Sequence, residues 1–432
     1  MKKLEPMTLL AAALVAPMDG PMIEEGGVVI AGGRILAVGK SRKLRREYPS
    51  ASMEEFPDAL LTPGLVNAHT HLELSDQTQG APPSNFVDWI MRLMSQTLPP
   101  GGPMSDVVRA AVATGVAQCR KFGVTTVGDI SKQCMFTRPA LRNTPLRVVS
   151  YGEIQAMAQR RGLLDERFAA ATDTSHETDR LTIGVTPHAP YTVEPPGYAR
   201  CLEFARTGRP LATHLAENPE EAEFLAEQTG PFRRLWEVGV NAWDDSVPRY
   251  HGGPIRFARD IGLLDHSTLL AHVNYCDDDE LPILAAGRAS VVYCPRTHAY
   301  FGHPPHRWRD MLSRGINVAV GTDSCASSPD LNLLDDLRLL HRIAPEVEAM
   351  DLWRLATTRA ARAVQLEQEV GSLTAGKRAD IVAWKFDGGN ALNDILESTA
   401  LPLRVWTGGA PSEPLIIDSP ARPNSADVGS DA

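Results

Sequence analysis

Two histidines one residue apart, His69 and His71, follow the apolar run Leu65-Val66-Asn67-Ala68. At i and i+2 on a strand end their imidazoles point the same way and can both reach one ion. Other polar side chains end apolar runs in the same manner. His188 follows Ile183-Gly184-Val185-Thr186-Pro187, and His214 follows Leu211-Ala212-Thr213 with Glu217 three residues on. His272 follows Leu269-Leu270-Ala271, and Asp323 follows Val318-Ala319-Val320-Gly321-Thr322. Neutral imidazoles with a carboxylate form the ligand set of a borderline divalent metal, Zn²⁺ first, with Fe²⁺ or Mn²⁺ as alternatives. A lone strand histidine is more often a satisfied core residue, but this repetition at run ends favours one divalent metal ion. Glu217 has an ordinary reading, charge compensation in the first turn of a helix, and a sharper one, proton transfer to a substrate.

Such chemistry needs elements that carry remote residues to one place. Counting Leu60 to Val66 as the first, eight β-like runs alternate with helix-like stretches. The others are Val124–Val127, Arg147–Tyr151, Leu181–Thr186, Leu211–Thr213, Thr268–Ala271, Ser290–Tyr293 and Asn317–Val320. Helices are expected across Ser105–Phe122, Asn218–Gln228, Asp277–Ala286, Leu331–Ile343 and Asp351–Leu366. This alternation predicts an α/β fold with a (β/α)8 TIM-like barrel over residues 60–370, whose strand C-termini all open on one face. Strand and turn signals over residues 1–59, with a Gly32-Gly33 turn, return over residues 371–418, including Gly371-Ser372-Leu373. Together they predict a small β-sandwich built from both chain termini. The Pro-, Ser- and Asp-rich residues 419–432 read as a frayed tail. Residues 231–255 carry Trp236, Trp243 and Tyr250 without strong helix or strand signals, and read as a substrate lid or as packing on the barrel rim.

Composition narrows the partners. With 43 Lys and Arg against 53 Asp and Glu, the net charge of -10 disfavours nucleic acid and anionic membrane surfaces and leaves a small-molecule substrate. The six cysteines form no C-x-x-C pair, which fits a reducing cytoplasm. Lys2 and Lys3 before an apolar stretch resemble a signal peptide, but Glu5 and Pro6 intervene and the stretch runs on into β-like segments.

The strings Pro63-Gly64-Leu65-Val66-Asn67-Ala68-His69-Thr70-His71, His214-Leu215-Ala216-Glu217, Gly321-Thr322-Asp323-Ser324 and Gly371 to Asp380 follow one another in an order that resembles the amidohydrolase superfamily. The likeness is to its mononuclear deaminases and chlorohydrolases, and it covers nearly the whole chain. It implies that His69, His71, His214 and Asp323 are the metal ligands, that His272 orients the attacking water, and that His188 contacts substrate. Glu217, His272 and Asp323 would be the catalytic groups. A metal ion lowers the pKa of bound water toward about 7, so hydroxide would attack the substrate and ammonia would leave. Binuclear relatives bridge two metals with a carboxylated lysine, and this chain has no lysine between Lys132 and Lys377, which favours a single metal. His71-Leu72-Glu73 also spells the H-x-E of cytidine-deaminase-type zinc enzymes, but no P-C-x-x-C accompanies it.

The continuation Leu72-Glu73-Leu74-Ser75 and the string from Cys294 to His303 are similar to amidohydrolases grouped with aminodeoxyfutalosine deaminase of the alternative menaquinone route. The S-adenosylhomocysteine and methylthioadenosine deaminases are close cousins. The resemblance implies a 6-aminopurine nucleoside-type substrate. Chlorohydrolase chemistry or a guanine- or triazine-type ring deamination is the alternative, and a non-catalytic scaffold a remote one. Glu73 can bind a ribose diol or pair with an arginine. Trp89 can stack on a purine or simply pack. Arg296, His298 and His303 can bind a carboxylate or sugar hydroxyl, or stand in water. Barrels of this kind commonly pair as homodimers, but no residue here sets the oligomeric state.

Overall fold

The computed structural model describes residues 6–96, 104–385 and 388–411. The tail expected from Ser419, and residues 412–418 of the expected C-terminal β segment, lie outside these. Eight barrel strands are present: β1 (Leu65–Thr70), β2 (Val124–Ser131), β3 (Arg147–Ile154), β4 (Leu181–Pro187), β5 (Ala212–Leu215), β6 (Leu269–His272), β7 (Ser290–Tyr293) and β8 (Asn317–Val320). They form two parallel ladders, β1-β2-β3-β4 and β5-β6-β7-β8. Parallel bridges between Val185 and Leu211 and between Thr70 and Asp323 join the ladders into a closed barrel. Nearly every strand residue is buried, as parallel strands covered by helices require. This is why each reads as an apolar run rather than as an alternation.

The run expected from Leu60 to Val66 is divided. Leu60 to Pro63 end a long strand, Ser52–Pro63, of the terminal sheet, and the barrel begins only at Leu65. Gly64 stands at the break, where a Cβ would come within 2.1 Å of Thr125 Oγ1, so no larger residue fits.

Both termini build one mixed sheet rather than two separate ones. Ser52–Pro63 lies at its centre and pairs with Thr8–Val15 on one side and Ile381–Lys385 on the other. A bulge between Ala12 and Leu14 bends it. Hydrogen bonds from Ile35 N–H to Lys377 O, Gly376 N–H to Ile35 O and Ala379 N–H to Gly33 O tie the edge strand Arg34–Lys40 and its turn to the segment leading into Ile381–Lys385. Leu10, Val28, Ile30, Ile381 and Trp406 share the core that the folded sheet encloses. The expected sandwich is therefore a single sheet closed on itself. Its Gly32-Gly33 turn has φ of 57° and 75°, which glycine adopts without steric cost. Gly371 to Leu373, expected as strand, makes none.

The helix expected across Asp351–Leu366 is two, Ala349–Leu355 and Thr358–Ala363, because Thr357 leaves helical geometry between them. Residues 231–255 are not structureless. They hold the short helix Gly230–Arg234, a π turn over Leu235–Gly239 and the start of the helix Gly253–Asp260. Among the described residues no helix is long and apolar enough to cross a membrane.

Candidate metal centre and active site

The C-terminal ends of the barrel strands bring five of the flagged histidines and two of the three flagged acids, Glu217 and Asp323, to one mouth. The candidate ligand atoms of His69, His71 and Asp323 lie within 4.8 Å of one another, and so do those of His69, His214 and His272. Asp323 Oδ1 is 3.4 Å from His71 Nε2 and 3.7 Å from His69 Nε2. Both ring nitrogens of His69, and Nε2 of His272, are buried without a hydrogen-bond partner among the described residues. Leaving such nitrogens unpaired is costly, and their convergence on a carboxylate fits a divalent cation.

Several contacts aim these side chains. Asn67 Nδ2 donates to Thr322 Oγ1 at 2.7 Å, while its carbonyl accepts from Thr322 N–H, clamping β1 to the loop after β8. Asp323 N–H donates to His69 O. A Cβ on Gly321 would come within 2.7 Å of His69 O, so only glycine lets this loop approach β1 so closely. Ser327 Oγ donates to Asp323 Oδ2 at 2.9 Å, leaving Oδ1 to face the imidazoles. His214 Nδ1 donates to His188 O at 3.1 Å, which fixes its tautomer and frees Nε2 as a lone-pair donor. His272 O accepts from His306 Nε2 at 2.9 Å.

Asp323, His272 and Val273 have φ of 58°, 74° and 51°, unusual for residues other than glycine. Such conformations cost about 1–3 kcal/mol each and persist where the surroundings enforce them. Here they turn the chain just where His272 and Asp323 leave their strands.

Burial lowers His71 to about 4 and pushes His214 and His272 well below the usual imidazole range, so all three are neutral near pH 7. Burial pushes the Asp323 carboxyl up, but a polar contact with His69 and the charge that the His71, His69 and His272 rings carry when protonated more than offset this and hold it below its ordinary value. Glu217 is the opposite case. Burial, then the charges of Asp323 and Glu221, push its carboxyl well above the usual range. The shift favours its protonated form. Two carboxyls beside one cluster with their pKa values driven apart are suited to acid and base roles respectively. Glu217 Oε1 lies 3.5 Å from His272 Nε2, and Oε2 accepts from Tyr191 OH at 3.3 Å. Asn274 Nδ2 donates to Glu217 O, and Glu217 N–H donates to Glu221 Oε2.

The remaining flagged residues divide. His188 is at the mouth, its ring 4.7 Å from that of His214. Glu73 Oε2 accepts Gln133 N–H at 2.9 Å, and burial pushes its carboxyl up to about 8. It makes no ion pair with an arginine among the described residues; its visible role is to hold the loop after β2. His303 Nδ1 lies 3.0 Å from Tyr275 OH, and His298 packs 5.3 Å from His303; burial lowers both imidazoles to about 4.

Two expectations need correction. Arg296 is not available to a substrate carboxylate, because Nε bonds Asp336 Oδ2 at 3.0 Å and Nη1 bonds Asp330 Oδ1 at 2.7 Å. Trp89 packs rather than lining a purine slot, with Phe86 stacked at 5.7 Å and Phe301 edge-on at 5.2 Å. Cutting the buried Arg296 pair by Asp336→Ala is expected to lower unfolding free energy by about 3–5 kcal/mol, which denaturant titration measures. A loss under 1 kcal/mol would show that the pair is dispensable.

Residues outside the sequence reading also line the mouth: Tyr191, Asn274, Ser327 and Glu153. Tyr191 and Asn274 stand within three residues of a flagged histidine, which was the available signal. Glu153 lies just beyond the apolar run Arg147–Tyr151, in the part of β3 that continues to Ile154.

The amidohydrolase family model matches residues 60–411, and an imidazolonepropionase-like composite domain model from bacteria matches residues 26–51. The aminodeoxyfutalosine deaminase of Deinococcus radiodurans is 29% identical over 350 residues, covering 78% of this chain and 81% of that protein. A 5-methylthioadenosine/S-adenosylhomocysteine deaminase of Nitratidesulfovibrio vulgaris is 28% identical over 394 residues, covering 87% and 83%. Helicobacter pylori aminofutalosine deaminase superposes with a TM-score of 0.81 at 23% identity, over 94% of this chain and 100% of that one. A triazine hydrolase from Arthrobacter aurescens does so with a TM-score of 0.80 at 21% identity, over 94% of each. At these identities the superpositions speak for the fold and do not choose between ring substrates. With the family model spanning the whole barrel and the C-terminal strands of the terminal sheet, the chain belongs to the amidohydrolase family.

Proposed function

We propose that this hydrolase of carbon–nitrogen bonds is a metal-dependent deaminase of 6-aminopurine nucleosides. Aminodeoxyfutalosine and the methylthioadenosine and S-adenosylhomocysteine class are the candidate substrates. One observation carries the reading: Glu217 Oε1 stands 3.5 Å from His272 Nε2 at the mouth where the candidate ligand atoms of His69, His71, His214, His272 and Asp323 converge. The names of the curated relatives support it.

His69, His71, His214 and Asp323 would hold one divalent ion, with three nitrogens and one oxygen suiting Zn²⁺ best and Fe²⁺ or Mn²⁺ less well. Bound there, such an ion lowers the pKa of water toward about 7. Asp323 accepts the proton of the attacking water, while Glu217 donates its own proton to a ring nitrogen and makes the adjacent amino-bearing carbon electron-poor. His272 orients the water, and its Nε2, 3.5 Å from Glu217, relays the proton that the departing amine needs. Water adds, ammonia leaves, and the 6-amino group becomes a 6-oxo group. The six free cysteines, all buried, accord with a reducing compartment and a cytoplasmic enzyme.

Ammonia release from metal-replete protein tests the reading against 6-aminopurine nucleosides with varied 5′ groups, against guanine, and against amino- and chlorotriazines. Turnover of at least one nucleoside at kcat/KM above about 10⁴ M⁻¹s⁻¹ is expected. Turnover of only a free base or a triazine would replace the reading with the chlorohydrolase or free-base alternative.

A further inference from the structure

Glu153, the penultimate residue of β3, lies on the same face of the barrel as the histidine cluster, and its side chain is only 4% exposed. Oε1 accepts from Gln155 Nε2 at 2.7 Å. Oε2 looks across a 4.0 Å gap at His188 Nε2. Among the described residues no lysine or arginine comes within ion-pair distance of this carboxylate, although the charge of Arg167 is near enough to act on it. A buried carboxylate with a single neutral donor is poorly satisfied.

The facing imidazole does not help it. Thr192 Oγ1, whose proton can go to Ala189 O at 3.1 Å, lies 2.8 Å from His188 Nδ1 and can accept from it. In that tautomer of the neutral ring Nδ1 carries the hydrogen and Nε2 a lone pair. Glu153 Oε2 and His188 Nε2 thus confront each other as two acceptors. What satisfies both is a ligand group with two donors close together. A vicinal diol supplies this, with one O–H for each. A cationic amine would also donate, but the ring of His188 adjoins His214, beside the proposed cation site, and a second positive charge there is disfavoured.

We infer that Glu153 and His188 form the sugar-hydroxyl subsite, so that the substrate is a nucleoside with free 2′ and 3′ hydroxyls. The inference rests on the deaminase reading and deepens it, since neither a free base nor a triazine carries such a diol. Glu73, the carboxylate that sequence alone suggested for this task, is engaged with Gln133 instead.

Binding, which needs no turnover, tests the subsite separately from the reaction. Dissociation constants of inosine and 2′,3′-dideoxyinosine are measured by calorimetry on metal-replete wild type, Glu153→Ala and Glu153→Gln. Wild type is expected to prefer inosine by about tenfold or more, the scale of hydrogen bonds to a charged group. In Glu153→Ala the preference falls to within about threefold. Glu153→Gln, which keeps the shape and the Gln155 neighbour, falls to an intermediate value and decides the matter should the alanine variant fail to fold by circular dichroism. Equal binding of the two ligands by wild type, no binding of either, or full preference retained in a folded variant would each overturn the subsite. Absence of ammonia release with the hydroxyl preference intact would instead overturn the deaminase reading and leave the subsite standing.

Discussion

Glu217→Gln is expected to lower kcat for the deaminated nucleoside by about 10²- to 10⁴-fold, with KM and bound metal little changed. Glutamine matches the shape of the side chain and can keep the 3.3 Å contact with Tyr191 OH, but it has no transferable proton. The loss should therefore appear in the chemical step alone. Equal falls in kcat and kcat/KM identify an interaction made only in the transition state. Steady-state ammonia release across a substrate series measures both. A variant retaining more than a third of wild-type turnover would remove Glu217 from proton transfer; the helix that follows begins only at Glu220, so helix-start charge compensation is not its role.

Asp323→Asn is expected to cost about 10²-fold or more as well, but with a different signature. Asp323 faces His69 and His71 through Oδ1 and is braced by Ser327 through Oδ2. Asparagine presents a neutral oxygen to the cation and accepts no proton from water, so both turnover and metal retention should fall. The comparison separates the two acids: loss of chemistry at constant metal for position 217, loss of both at position 323. An Asp323→Asn enzyme with wild-type rate and metal content would exclude it from both roles.

The metal-centre constellation was legible because parallel barrel strands announce themselves as apolar runs, and the residue following each run falls on one face. His69, His71, His214, His272 and Asp323 needed no further information to be grouped. Long-range pairing was less legible. Nothing local distinguishes Leu60 to Pro63, which serve the terminal sheet, from Leu65 onward, which begins the barrel. Likewise, Arg296 follows β7 as a substrate ligand might, and only the fold reveals Asp330 and Asp336 waiting for its guanidinium. Trp89 is similar, since the partners that bury it, Phe86 and Phe301, are near and very far in sequence. Glu153 shows the converse: a short apolar run with no flagged motif, whose acid acquires meaning only once His188 stands opposite it.

Elemental analysis of purified protein by plasma mass spectrometry tests the claim on which the rest depends. Wild type should carry about one equivalent of a divalent transition metal per chain, and His71→Ala, folded by circular dichroism, should carry little. A wild-type protein that binds no metal when offered zinc, iron or manganese, or a His71→Ala variant with an undiminished full equivalent, would contradict the account.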